Sequence, residues 1–292
     1  LVGESGCGKS ITVMALMGLL PENAKVTGSI VFDGQELVGK SDHEMCAIRG
    51  DRIGMIFQEP MTALNPVHTI ARQVGEPLRL HRGLSKADAR KEVLALLDRV
   101  GIPDAASRLD AYPHQFSGGQ RQRIGIAMAL ACGPDLLIAD EPTTALDVTI
   151  QKQVLDLIQG LVKEMGMALI LISHDLGVIA NSVQRMLVMY GGSMVESGPT
   201  KAVFAERAHP YTQGLFAARP ALGAPRGIRL ATIRGSVPEL VDLPFGCPFA
   251  GRCPFTIPEC MATMPPREEA DAGHHARCFR LDAVAASKRQ AA

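Results

Sequence analysis

The sequence has no Trp, three Tyr and nine Phe among 292 residues, so it lacks the base-stacking platforms that hold single-stranded nucleic acid. It also lacks net charge. Thirty basic residues balance thirty acidic ones, and nothing in the bulk electrostatics attracts a polyanion, so nucleic acid is not expected as a partner. Long hydrophobic runs are missing too. Residues 124–132 (IGIAMALAC) and 167–172 fall far short of the roughly 20 residues of a membrane-spanning helix, and no bilayer crossing is expected. No basic, then apolar, then small-residue leader opens the chain, which makes the cytoplasm the expected compartment. The chain starts at Leu1 rather than Met, already inside an apolar pair with Val2, and the expectation is that an upstream segment has been lost. Cysteine is sparse early (Cys7, Cys46, Cys132) and then crowds at Cys247, Cys253, Cys260 and Cys278.

What is present is a 47% apolar chain, enough for one large domain or two of ordinary size. Up to about residue 197, short apolar runs alternate with amphipathic stretches, the pattern of an α/β fold with a largely parallel sheet. Residues 136–139, 168–172 and 185–189 read as strands. Ile150, Val154, Leu157, Ile158 and Leu161 repeat at helical spacing and predict a crossover helix over 150–163. Residues 61–132 carry no comparable strand and read as a helical insertion, with a helix over 85–100 that opens at a Ser cap. After Gly198 the composition shifts to Pro, Gly and Arg. The expected division is a main domain at 1–205 with a helical subdomain at about 60–132, a linker at 206–220 and a small irregular domain at 221–292.

Gly3-Glu4-Ser5-Gly6-Cys7-Gly8-Lys9-Ser10 matches the phosphate-binding loop GxxxxGKS between an apolar strand and an apolar-rich stretch. Glycines let successive N–H groups converge on a phosphate at a helix N-terminus. Lys9 is expected to reach the β- and γ-phosphates and Ser10 to bind Mg²⁺, while Cys7 reads as a small filler. A second acidic site closes the run Leu136-Leu137-Ile138-Ala139-Asp140-Glu141: Asp140 belongs beside the Mg²⁺, and Glu141 would orient or deprotonate the attacking water.

Phe116-Ser117-Gly118-Gly119-Gln120, followed by Arg121-Gln122-Arg123 and an apolar helix, resembles the LSGGQ signature of the ATP-binding subunits of ABC transporters. The family's other landmarks follow in order: Gln58 of the Q-loop, Ala145-Leu146-Asp147 of the D-loop and His174 of the switch. The resemblance implies a P-loop fold of ABC type in which two such domains face each other head to tail. Lys9, Ser10, Gln58, Asp140, Glu141 and His174 then act on one ATP, with Ser10, Gln58 and Asp140 about the Mg²⁺, while Ser117, Gly118, Gly119 and Gln120 complete the partner's site. The runs Gln58-Glu59-Pro60-Met61-Thr62-Ala63-Leu64-Asn65-Pro66, Tyr112-Pro113-His114-Gln115, His209-Pro210-Tyr211-Thr212 and Leu243-Pro244-Phe245-Gly246-Cys247-Pro248-Phe249 resemble the dipeptide/oligopeptide importer branch, and Thr143-Thr144 resembles its first ATPase subunit. This implies an ATPase on the cytoplasmic face of the inner membrane, paired with a sister ATPase and two permease subunits and served indirectly by an extracytoplasmic binding protein. The same branch also imports nickel and other small solutes. A soluble, non-transport ABC ATPase would need coiled-coil arms or a second ATPase domain, and the sequence has neither. A P-loop kinase would leave Ser117 to Gln120 unexplained.

The four late cysteines, spaced Cys247-x5-Cys253-x6-Cys260-x17-Cys278, leave three readings open on their chemistry: buried free thiols, zinc, or an iron–sulfur cluster. A segment poor in core residues favours a metal that contributes folding energy. His274 and His275 could replace a thiolate at zinc, although adjacent His residues in a polar stretch are usually exposed. Resemblance to the importer branch implies a [4Fe–4S] cluster. ABC ATPases also place strands and an adenine-stacking aromatic before the P-loop, so a truncated copy is expected, with weak nucleotide selectivity and reduced stability.

Overall fold

The computed structural model describes residues 1–59, 63–144, 146–219 and 232–291. Pro60, Met61 and Thr62 of the Gln58 run, Ala145 of the D-loop, and the expected domain start at residue 221 lie outside the described residues. The chain forms two units, Ser10–Ile172 and Leu1–Lys9 with Ser173–Ala292.

In the Ser10–Ile172 unit a hairpin comes first, β1 (Val31–Phe32) and β2 (Gln35–Glu36). Asp33 (φ 48°) and Gly34 (φ 76°) both take the left-handed conformation that a tight two-residue hairpin turn demands. Next come β3 (Ile53–Ile56), β4 (Leu136–Asp140) and β5 (Ala168–Ile172), parallel and in that spatial order. Every residue of β3 and β4 is buried, which is why their sequences are continuous apolar runs without alternation. A Cβ at Gly54 would stand 2.2 Å from the Ala129 carbonyl oxygen, so only glycine lets the end of helix Gly118–Ala129 lie this close to β3. Helices Ile70–Arg82, Lys86–Arg99, Ala105–Arg108 and Gly118–Ala129 fill the chain between β3 and β4. Ser85 caps Lys86–Arg99 by accepting from the Asp88 N–H at 3.1 Å. Helix Val148–Met165 crosses from β4 to β5 and buries Val154, Ile158 and Leu161, one face at helical spacing.

The other unit centres on an antiparallel sheet of β6 (Arg185–Tyr190), β7 (Ser193–Pro199), β9 (His274–Ala276) and β8 (Glu268–Asp271), in that order. Val2 lies parallel to Val188, with the Val2 N–H donating to the Leu187 carbonyl at 2.9 Å and the Met189 N–H to the Val2 carbonyl at 2.7 Å. Residues 206–220 were expected to be a linker. They contain helix Pro210–Ala217 instead, with Tyr211 and Thr212 fully buried; Pro210 supplies the first-turn residue and His209 Nδ1 caps the Tyr211 N–H at 3.1 Å. The rings of Tyr190, Tyr211 and Phe249 pack with centroids 4.7 to 5.4 Å apart. Beside them sits a buried polar knot. Glu196 accepts from His274 Nε2 (2.7 Å) and from the N–H groups of Ala208 (2.8 Å) and His209 (2.9 Å). His274 is therefore buried against a carboxylate and is not an exposed residue.

Candidate active site

The Gly3–Lys9 turn is shaped by what cannot stand in it. A Cβ on Gly3 would meet the Met189 carbonyl oxygen at 2.3 Å, while Gly6 (φ 82°) and Gly8 (φ 94°) hold the left-handed conformation. The loop then enters helix Lys9–Leu16. Lys9 is 6% exposed and its Nζ donates to the carbonyls of Gly3 (2.9 Å) and Glu4 (3.0 Å), so the ammonium sits within the curl of its own loop. Cys7 is fully buried and its carbonyl accepts from the Gly192 N–H at 3.1 Å, consistent with a filler. A glycine-dependent turn at a helix N-terminus and a buried ammonium suit a phosphate. In the same unit the Ser173 N–H donates to the Leu1 carbonyl at 3.1 Å. His174 follows, exposed, and Asp175 caps helix Leu176–Ser182 through the Gly177 N–H at 2.6 Å.

In the Ser10–Ile172 unit, strand register brings Gln58 and Glu141 together. Ile56 lies opposite Ala139 in the parallel pair β3–β4, and each chain runs two residues further to its polar group. Gln58 Nε2 donates to Glu141 Oε2 at 3.2 Å, and Thr144 Oγ1 donates to the same oxygen at 3.1 Å. Glu141 has φ 44°, a left-handed conformation for a side-chain-bearing residue, at the point where the chain leaves the sheet. Its N–H still donates to the Ile172 carbonyl at 3.1 Å and extends the β4–β5 ladder by one residue. Asp140 closes β4 and is 4% exposed. Ser10, Gln58 and Asp140 offer a hydroxyl, an amide and a carboxylate oxygen, a donor set that suits a hard cation such as Mg²⁺.

Ser117 is the N-cap of helix Gly118–Ala129. Its Oγ accepts from the Gln120 N–H at 3.3 Å while Gln120 Oε1 accepts from the Ser117 N–H at 3.1 Å. A Cβ on Gly119 would stand 3.1 Å from Ile150 Cγ2, so the signature turn lies against the start of the crossover helix. Asp147 caps that helix, accepting from the Thr149 (3.1 Å) and Ile150 (3.0 Å) N–H groups.

The cysteine tail differs from what its spacing suggests. Cys247, Cys260 and Cys278 are buried and Cys253 partly so, and the Cys247 N–H donates to the Cys260 carbonyl at 2.8 Å. Burial pushes the thiols of Cys247 and Cys278 up to about 11, with the other cysteines close enough to add to the shift. Sulfurs of Cys253 and Cys278 accept from the N–H groups of Phe255 (3.4 Å) and Arg280 (3.3 Å). Among the described residues, however, no group of three or more His, Cys, Asp or Glu is gathered to hold a metal ion. Sequence reasoning also missed two neighbours of the phosphate loop. Tyr211 Oη accepts from the Glu4 N–H at 2.7 Å, and Arg252 donates to the Glu4 carboxylate at 2.9 and 3.3 Å. Tyr211 lies in the His209-Pro210-Tyr211-Thr212 run that marked the branch, but nothing local in the sequence announces its contact.

Residues 1–144 match the family described as ABC transporter, and residues 195–260 match the oligopeptide/dipeptide transporter C-terminal region. The chain belongs to the ABC transporter ATP-binding proteins of the oligopeptide/dipeptide branch. It is 53% identical to a putative peptide import ATP-binding protein of Brucella ovis over 98% of this chain and 88% of that protein. It is 52% identical to the dipeptide transport ATP-binding protein DppD of Bacillus subtilis (97% of this chain, 84% of the relative). Against the oligopeptide transport ATP-binding protein OppD of Escherichia coli it is 49% identical, covering 96% and 82%. Among solved structures, a dimeric ATP-binding cassette in a post-hydrolysis state, bound to ADP and Pi, superposes with a TM-score of 0.60 at 30% identity, covering 68% of this chain and 83% of that one. The ABC core of the chain thus has the P-loop fold expected.

Proposed function

We infer that this chain is the ATP-hydrolysing subunit that energises import of di- and oligopeptides through a membrane ABC transporter. The observation that carries the reading is the union, in one chain, of an ABC cassette with the oligopeptide/dipeptide C-terminal region at residues 195–260. The relatives compared above are named for peptides, which favours peptide over nickel as cargo. Gly3, Glu4, Ser5, Gly6, Cys7, Gly8 and Lys9 cradle the phosphates, with Lys9 leaving the Gly3 and Glu4 carbonyls to reach them. Ser10, Gln58 and Asp140 would hold Mg²⁺, which when bound offsets charge between the β- and γ-phosphates. Glu141 accepts the proton of the attacking water, and His174 assists at the γ-phosphate. Ser117, Gly118, Gly119 and Gln120 present a helix N-terminus to the nucleotide of a second ATPase, a sister subunit.

The subunit sits peripherally on the cytoplasmic face of the inner membrane against two transmembrane permeases, with an extracytoplasmic binding protein delivering cargo; no helix among the described residues is long and apolar enough to cross a membrane. Residues 1–205 form the ATP-binding domain, with its helical subdomain at about 60–132, and 221–292 a tail domain. Within it Cys247, Cys253, Cys260 and Cys278 would hold an iron–sulfur cluster rather than zinc. The cysteines lie within electrostatic reach of one another and N–H groups are aimed at two of the sulfurs, which supports that assignment, although the four side chains are not gathered as a ligand set.

Replacing Glu141 with Gln tests the catalytic assignment. In the assembled transporter turnover should fall about 10²- to 10⁴-fold with nucleotide binding retained. Undiminished ATPase activity in that complex would overturn it.

A further inference from the structure

The knot around Arg252 ties the tail to the phosphate loop. Arg252 ends a short 3₁₀ turn, Ala250–Arg252, immediately before Cys253, and its side chain is 7% exposed. All of its nitrogens donate. Nε reaches the Arg234 carbonyl (2.7 Å) and Nη2 the carbonyls of Ile233 (3.2 Å) and Gly235 (3.1 Å). Nη1 reaches Tyr190 Oη (3.2 Å) and Glu4 Oε2 (2.9 Å), and Nη2 also reaches Glu4 Oε1 (3.3 Å), a two-pronged ion pair. Glu4 is gripped on its other sides as well: its N–H donates to Tyr211 Oη, and its carbonyl accepts from Lys9 Nζ. The conformation of this loop residue is thus set by side chains from the last third of the chain. Three backbone carbonyls, a phenol and a carboxylate give a guanidinium five fixed directions, which a lysine cannot match.

We propose that Arg252 is a positioning residue for nucleotide binding, acting through Glu4 to hold the phosphate loop in its cradle shape, so that the cysteine-bearing tail is part of the frame of the ATP site. The proposal rests on the reading of Gly3 to Lys9 as that site. It needs no metal in the tail. Because Arg252 acts through Glu4, its loss should weaken nucleotide binding only as far as Glu4 is released.

A double-mutant cycle on the full chain tests it, with Arg252→Met, Glu4→Gln and the double variant, reading the Kd for MgATP by calorimetry and folding by thermal melting. Each single change should weaken binding about 5- to 30-fold, and the double change should be no weaker than the worse single, because both break one link. Arg252→Lys should restore only part of the affinity. If Arg252→Met lowers the melting temperature but leaves the Kd of the folded chain unchanged, or if the two losses multiply, Arg252 serves only the tail and the proposal fails. Should Arg252→Met not fold, Glu4→Gln and Arg252→Lys still decide it: unchanged affinity in both rejects the link. Failure of the underlying reading would look different, since MgATP binding would then survive Lys9→Ala.

Discussion

Glu141 holds its carboxylate on a backbone with φ 44°, where a side chain costs about 1 kcal/mol or more. The strain persists because its N–H is committed to Ile172 and its carboxylate to Gln58 and Thr144. Ser117 makes the opposite case, a residue of the proposed partner site that is also good local structure. As N-cap of its helix it contributes about 1 kcal/mol to the isolated chain. Ser117→Ala should therefore shift the urea midpoint of the free subunit only slightly, yet lower ATPase turnover of the assembled complex far more than that shift accounts for. Turnover that merely follows the folded fraction would remove Ser117 from the partner's site.

Among the elements, the junction of β7 with the start of helix Pro210–Ala217 is sensitive to acid. His209 is fully buried, and burial lowers its pKa to about 4 from 6.5. The unfolded chain then binds the extra proton, so this contribution is whole above pH 6.5 and is lost as pH falls toward 4, about 3 kcal/mol in all. At Glu196 burial alone would raise the carboxyl, but bonds from His274 and two amides overcome it and hold the value below the ordinary range, which adds a further loss at lower pH. The urea midpoint should drop between about pH 7.5 and about pH 5, and His209→Gln should flatten that drop; a wild-type midpoint constant over the range would refute the account. Strands β4, β5 and β6, the crossover helix and the Ser85 cap were legible in the sequence, because each is written in consecutive apolar runs or adjacent cap residues. By contrast β7 was not, since Glu196 and Ser197 are polar yet buried and Gly198 packs against His274. The β8–β9 hairpin was hidden by an outer strand that is exposed at every residue. At the site the phosphate loop, acidic strand end and signature were readable as contiguous motifs, whereas the grips of Tyr211 and Arg252 on Glu4 join residues more than 200 positions apart and leave no local pattern.

For the whole molecule, neutrality means that contacts with nucleotide depend on local backbone sites rather than on overall charge. The tail's contribution is measurable. Anaerobically purified chain should contain iron and acid-labile sulfide, absorb broadly in the visible and melt higher than chain stripped by chelator, with Cys260→Ser lowering the iron content; zinc without iron would reject the cluster. The tie between Glu4 and Arg252 also sets an order of events in synthesis. The two residues lie 248 positions apart, so at about 5–20 residues per second roughly 10 to 50 s pass between their emergence. Through that interval the Gly3–Lys9 turn waits unclasped, and it acquires its finished shape only once Arg252 has been made.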